Sequence, residues 1–302
     1  MLLWVKSTPD STMGTDLTVA VLSGKGGTGK TLVSVNLAAV AQKATYVDCD
    51  VEEPNGHLFF KPTILSSRVV TVPKPVVDQS LCDGCRICTE ACAFNALALI
   101  GKQLLVFNEV CHSCGLCTTL CPKKALTEVE QPLGVVRQGR HGTVSFEDGI
   151  LDIGQSEAVP LIKALLKKKH KDLVVIDSPP GSGCLVTEAI LGADYCLLVA
   201  EPTRFGAHNL AMVHELVQIL GKPCAVLLNK NEESASNPSK EYALAHNLSI
   251  AGTLPYDPKL AALASEGLIA SEELGHYHAY FSNLLETIRK EAADASDPHT
   301  QR

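Results

Sequence analysis

Apolar residues run together in short unbroken stretches: Thr18–Leu22, Ala44–Val47, Leu173–Ile176 closing on Asp177, Tyr195–Ala200, Cys224–Leu228 and a shorter piece around Ile250–Leu254. Stretches of this length predict strands covered on both faces, as in parallel sheets, because a strand with one wet face alternates instead. Segments with helical spacing separate them. Leu32–Gln42 is almost wholly apolar or small, and Ile162, Leu165 and Leu166 share one face of a segment finishing in Lys167–Lys169. Leu210, Val213, Val217 and Leu220 form a stripe that belongs to a core. Strand and helix in alternation predict an α/β fold with a doubly wound, mostly parallel sheet. Val135–Ile153, punctuated by Gly139, Gly142, Gly149 and Gly154, reads as a hairpin. The last helix carries Phe281, Leu284, Leu285 and Ile288, but Glu286, Glu291 and Asp294 flank them and only Arg289 and Lys290 are basic. It lacks the positive charge of a membrane-surface helix. His276 and His278 in that segment show no ligand spacing and read as surface residues.

Composition changes this picture little. The 302 residues, 46% hydrophobic and 20% charged, suit a soluble globular chain with one core and a small second unit. A net charge of −7 with no basic run longer than Lys167–Lys169 leaves no surface for direct nucleic-acid binding. No apolar run is long enough to span a bilayer, and Met1–Ser11 is too short and too weakly basic for a signal peptide, so the expected location is cytoplasmic. Met13, just before the first strand, is a candidate native start alongside Met1. The twelve cysteines do change the picture: disulfides are rare in a reducing compartment, and eight of the twelve lie between Cys82 and Cys121.

Chemistry gathers first at Ser23–Thr31, which follows the first strand and opens a helical segment. Gly24, Gly29, Lys30 and Thr31 satisfy G-x-x-x-x-G-K-[ST]. In such a phosphate-binding loop the backbone of Gly24, Lys25, Gly26, Gly27, Thr28 and Gly29 turns N–H groups toward phosphate oxygens, Lys30 reaches the terminal phosphates, and Thr31 ligates Mg²⁺. Asp48 and Asp50 follow the second strand, where a carboxylate can hold Mg²⁺-bound water or the attacking water. Asp177 ends its strand as a Walker B aspartate, accepting a hydrogen bond from Mg²⁺-bound water. Gly181, closing Ser178-Pro179-Pro180-Gly181, is placed to offer its N–H to a γ-phosphate.

Lys25 is a second lysine that cannot easily reach its own phosphates. The run from Lys25 to Thr31 resembles the deviant P-loop of the MinD/ParA family, which also contains the nitrogenase iron protein and Mrp-type iron-sulfur carriers. The resemblance implies a dimer across bound ATP, of two copies or of this chain and a related ATPase. In it Lys25 crosses to the partner's nucleotide and stabilises the transferring phosphoryl group. It also implies the hydrolytic role for Asp50 ahead of Asp48, an adenine-reading Asn229, and Pro255 of Pro255-Tyr256-Asp257 packed against the base. Cys184, three residues after Gly181, stands near the dimer axis by the same resemblance, where it is either a ligand for metal or a cluster, or a packed cysteine.

Cys82, Cys85, Cys88 and Cys92 recur as Cys111, Cys114, Cys117 and Cys121 at an offset of 29 residues, both halves reading C-x₂-C-x₂-C-x₃-C. Three thiolates on one tight loop can cap three irons of a cubane, and the fourth must come from elsewhere. The array resembles a bacterial-type two-cluster ferredoxin. That resemblance implies an exchanged fourth ligand: Cys82, Cys85, Cys88 and Cys121 on one 4Fe-4S cluster, and Cys111, Cys114, Cys117 and Cys92 on the other. Pro122 follows the last cysteine as the pattern asks, whereas Ala93 follows Cys92. Zinc also accepts C-x₂-C pairs and is the competing reading, which the interleaved order suits poorly. Pro73 and Pro75 mark a linker into the insertion and Gln131–Gly134 one out of it. The chain then divides into ATPase parts at 13–72 and 133–292, an inserted α+β ferredoxin domain at 73–132, and a flexible tail at 293–302.

Together the resemblances imply an ATP-hydrolysing iron-sulfur protein whose nucleotide-switched dimer couples to electron transfer, or to metallocofactor assembly, on a partner protein. Two other functions stay open: a MinD-like positioning ATPase with structural or sensory clusters, and a metal-cluster carrier using Cys184.

Overall fold

The computed structural model describes residues 16–296 apart from 169, 171 and 233–235, so Met1, Met13 and Lys169 lie outside the described residues. Its strands are β1 (Thr18–Leu22), β2 (Ala44–Asp48), β3 (Thr63–Val77), β4 (Leu97–Ile100), β5 (Gln103–Val106), β6 (Leu126–His141), β7 (Val144–Leu151), β8 (Leu173–Asp177), β9 (Tyr195–Ala200), β10 (Cys224–Asn231) and β11 (Ser249–Pro255). Nine of them form one sheet in the order β11-β10-β9-β1-β8-β2-β7-β6-β3, and β4 pairs with β5 alone. From β11 to β7 all neighbours are parallel, while β6 runs antiparallel to both β7 and β3.

Successive side chains of a strand point to opposite faces, and β1 shows how this builds two layers. Val19 and Val21 join the core under the helices Lys30–Val40 and Gly275–Ser296, whereas Ala20 and Leu22 join the core under Val159–Leu166, Cys184–Leu191 and Arg204–Ile219. Phe281, Leu284, Leu285 and Ile288 are buried in the first core, so the apolar face of the last helix is spent on the sheet. Among the described residues no helix is long and apolar enough to cross a membrane. His276 and His278 are exposed, as expected. The last helix continues through Ser296, its final turns held by buried Ala292, so 293–296 of the expected tail are helical and 297–302 lie outside the described residues.

The expected linkers are strands. Pro73 and Pro75 sit inside β3, and Gln131–Gly134 inside β6, in one antiparallel ribbon registered from Thr63↔Arg140 to Val77↔Leu126. Proline is tolerated there because β3 is the edge of the sheet, where an outward-facing position needs no N–H. The expected hairpin is present as β6 and β7, turning between His141 and Val144. At its far end the ribbon carries a small unit made of β4, β5 and the short helices Ile87–Ala91 and Leu116–Leu120, closed where the Asp78 N–H donates to the Ala125 carbonyl at 2.7 Å.

Candidate functional site

β1 lies between β8 and β9, so the order of connections reverses at its carboxyl end, the place where open α/β sheets bind ligands. The Gly24–Thr31 loop leaves β1 there. Gly29 has φ 99°, and a Cβ on it would stand 2.3 Å from Asn229 Nδ2; a Cβ on Gly24 would stand 2.4 Å from the Asn209 carbonyl oxygen. Neither position accepts a side chain. The loop borders an open cavity of about 610 Å³, lined by Gly26, Gly27, Gly29, Lys30 and Thr31 with Asp50, Pro180, Asn229, Lys230, Pro255 and Tyr256. The expected phosphate, hydrolytic and base residues therefore meet around one space, with Gly24, Lys25, Thr28, Asp177 and Gly181 set back from it.

Behind Lys30 sits a group of carboxylates. Asp177, buried, accepts from Ser34 Oγ at 3.2 Å and Tyr46 Oη at 2.9 Å. Asp48, its register partner on β2, accepts the N–H groups of Asp50 at 3.1 Å and Gly56 at 2.8 Å. Asp48 thus braces the turn, and of the two aspartates it is Asp50 that lines the cavity, together with Glu53 and Asp257. Burial raises Asp177 against the opposing pull of Lys30, and burial followed by the Asp177 charge raises Asp48. With Lys30 the buried cation beside them, this set carries an excess of negative charge that a divalent cation such as Mg²⁺ fits. Burial pushes Asp50 up to about 6, with Lys30 opposing. Carboxyl ¹³C NMR of the nucleotide-free protein should therefore show a group titrating near 6 that disappears in Asp50→Asn; an Asp50 midpoint at the unperturbed value of about 4 would refute the assignment.

Lys25 points away from its own loop. Its Nζ lies 2.6 Å from Glu201 Oε2 and 5.4 Å from the centre of the Phe205 ring. Glu201 also binds Lys230 Nζ at 2.7 Å, and Lys230 Nζ donates to the Gly27 carbonyl at 2.8 Å. Burial alone would push Glu201 up, but Lys230 and Lys25 outweigh it and hold the carboxyl below its ordinary range. Lys230 pays for this position with a left-handed backbone, φ 54°. The Gly181 N–H donates to the Ser23 carbonyl at 3.0 Å, and the Asn229 amide donates to the Thr28 carbonyl at 2.7 Å. In this state Gly181 and Asn229 hold the loop rather than stand free for phosphate and base. The Glu201 and Lys230 contacts and the Tyr46 bond to Asp177 were not legible beforehand, since each depends on which strands are neighbours. Cys184 is exposed at the start of Cys184–Leu191.

The cysteine array closes around two spaces. Cys82, Cys85, Cys88 and Cys121 line one pocket, and Cys111, Cys114, Cys117 and Cys92, together with Cys88, line the other. Cys121 thus joins the pocket of the first half and Cys92 that of the second, while Cys88 borders both. The 29-residue repeat is also a repeat of backbone: positive φ occurs at Gly84 and Ser113, at Arg86 and Gly115, and at Asn95 and Lys124. The Ala96 N–H donates to Cys92 Sγ at 3.3 Å and, at the matching position, Ala125 N–H to Cys121 Sγ at 3.2 Å. Left-handed non-glycine residues cost about 1–3 kcal/mol each, so four of them in one small unit mark a constrained site. Burial raises the Cys88 thiol and pushes Cys117 up to about 11. Among the described residues no three His, Cys, Asp or Glu side chains converge as a single ion requires; the thiols surround space instead.

Residues 19–270 match the CobQ/CobB/MinD/ParA nucleotide binding domain. The chain is 30% identical over 260 residues to the uncharacterized protein MJ0578 of Methanocaldococcus jannaschii, covering 83% of this chain and 89% of that one. It is 26% identical over 281 residues to MJ0579 of the same organism, covering 88% and 97%. Among solved structures, the septum site-determining protein MinD of Pyrococcus horikoshii, complexed with Mg-ADP, superposes with a TM-score of 0.59 at 17% identity, covering 93% of this chain and 99% of that one. That likeness is one of fold. With the loop geometry, the sheet order and a match over most of its length, the chain belongs to the CobQ/CobB/MinD/ParA nucleotide-binding family.

Proposed function

We propose that this chain is a cytoplasmic, Mg-ATP-hydrolysing dimer with an inserted two-cluster ferredoxin domain, whose nucleotide state is linked to electron transfer toward a redox or metallocofactor partner. The ferredoxin domain is assigned to 73–132, between ATPase parts 13–72 and 133–292. One observation carries the reading: two cysteine-lined cavities, in which Cys121 joins Cys82, Cys85 and Cys88, and Cys92 joins Cys111, Cys114 and Cys117, with Cys88 bordering both. The residues fit 4Fe-4S cubanes. The thiols line shared pockets, N–H groups already reach Cys92 and Cys121 sulfurs, and the buried apolar residues of the unit are few: Cys88, Ala96, Leu97, Leu104, Cys111, Ala125 and Leu126. A core so small needs a metal group to hold its fold. When bound, the clusters supply one-electron transfer.

On the nucleotide side, Lys30 and the loop N–H groups bind phosphates, Thr31 ligates Mg²⁺, Asp177 holds its water and Asp50 orients the attacking water. Lys25, released from Glu201, reaches the nucleotide of a second copy or of a related ATPase. The contacts between the two sites support linkage. The Leu151 N–H donates to the carbonyl of Val51, beside Asp50, at 2.9 Å, and the Asp152 N–H donates to Leu133 in β6 at 3.0 Å. Further along the same segment the Ser156 hydroxyl donates to the Glu109 carbonyl, two residues before Cys111. Ordering of Asp50–Asn55 and Asp177–Cys184 by Mg-ATP therefore has a contiguous path to the cysteine loops.

Redox titration with and without Mg-ATP tests this. If ATP favours the reduced form, it raises the potential, and reduction tightens ATP by the same free energy. A typical coupling of about 1–3 kcal/mol corresponds to roughly 40–130 mV for one electron. Equal potentials in a protein that binds Mg-ATP and dimerises would transfer the reading to a positioning ATPase with structural clusters.

A further inference from the structure

Among the described lysines only two are buried: Lys30 of the phosphate loop, and Lys74 in the ribbon strand β3. Lys74 is 2% exposed, and its Nζ donates to the Cys111 carbonyl at 2.5 Å. We propose, on the iron-sulfur reading above, that Lys74 is a positioning residue that selectively raises the reduction potential of the cluster held by Cys111, Cys114, Cys117 and Cys92.

A cluster gains negative charge on reduction, so a cation fixed beneath its ligand loop favours the reduced form, and exclusion of water leaves that attraction weakly screened. Burying a lysine is costly, and a neutral side chain of similar length would fill the same space at less expense. The repeat offers no counterpart in the other half: the position 29 residues after Lys74 is Gln103, exposed on β5. Charges at the first cavity, Asp83, Arg86 and Lys123, are exposed, and the 3.8 Å pair of Lys123 with Asp83 is open to water and salt. At the second cavity Glu128 is likewise exposed. Half-buried Glu157 faces Lys74 and His112 and offsets part of the lysine's charge, while Lys74 lies deeper than either.

EPR-monitored redox titration of the anaerobically purified full chain tests the assignment, with the two signals identified from Cys85→Ser and Cys114→Ser. In Lys74→Met the cluster of Cys111 should become harder to reduce by about tenfold in its equilibrium, about 59 mV for one electron, while the cluster of Cys82 stays put. Lys74→Arg should keep both potentials. Lys74→Gln, with a polar tip for the Cys111 carbonyl, replaces Met if that variant does not load. Unmoved potentials, an equal fall in both clusters, or a fall in Arg as large as in Met would each overturn the proposal. So would loss of the second cluster from both neutral variants but not from Arg, which would make Lys74 purely structural. A wild-type protein without iron sinks the iron-sulfur reading itself; a loaded wild type with unmoved potentials in Lys74→Met sinks the Lys74 assignment alone.

Discussion

Lys30→Ala is expected to abolish stable nucleotide binding, whereas Lys25→Ala binds Mg-ATP nearly as well as the parent and loses hydrolysis by about 10³-fold or more. The two lysines stand five residues apart on one loop, but the fold gives them opposite directions. Lys30 is buried at the floor of the phosphate cavity, within reach of Asp50 and Asp177, and contributes to the ground state. Lys25 lies outside that cavity against Glu201 and Phe205 and, on the proposed dimer, contributes only when it meets a nucleotide in another protomer. An interaction made only in the transition state lowers the catalytic rate when removed and leaves affinity alone. Isothermal titration with a non-hydrolysable ATP analogue, beside phosphate-release assays across protein concentration, separates the two. Equal loss of binding in both variants would mean that Lys25 serves its own site.

The second large effect concerns the cysteine array. Anaerobically purified protein should contain about eight iron and eight labile sulfide per chain, because two cubanes are built by the exchanged sets. Cys92→Ser should damage the cluster of Cys111, Cys114 and Cys117 although Cys92 precedes them by about twenty residues, since its thiol borders their cavity and not the one lined by Cys82 and Cys85. Iron analysis, with EPR of the reduced variant, reads which signal is lost. Zinc in place of iron, or loss confined to the cluster of Cys82, would contradict the assignment.

What could be read from the chain alone was whatever depends on neighbours in sequence. β1, β8 and β9 coincide with their apolar runs because a strand buried on both faces needs apolar residues at every position, and that demand is local. The phosphate loop was legible for a similar reason: positive φ at Gly29 and close approach at Gly24 leave glycine as the residue that fits, at fixed spacing. The repeat of cysteines was legible because each cysteine loop is one tight turn, and the matched left-handed residues at 86 and 115 show the same turn built twice.

Tertiary structure decided everything that needs a distant partner. Pro73, Pro75 and Gln131–Gly134 read as linkers because proline breaks strands on average, yet β3 is an edge strand and Pro132 of β6 lies beyond the end of β7, and both facts are properties of the whole sheet. Lys25 meets Glu201 because β1 and β9 are adjacent, and Tyr46 meets Asp177 because β2 pairs with β8. Lys74 looks like an ordinary surface charge until the ribbon folds it beneath Cys111. For Lys25, Tyr46 and Lys74 the sequence supplies a polar group, and only the three-dimensional order of strands decides whether it faces water, a counter-charge or a buried site, where low dielectric makes the difference large.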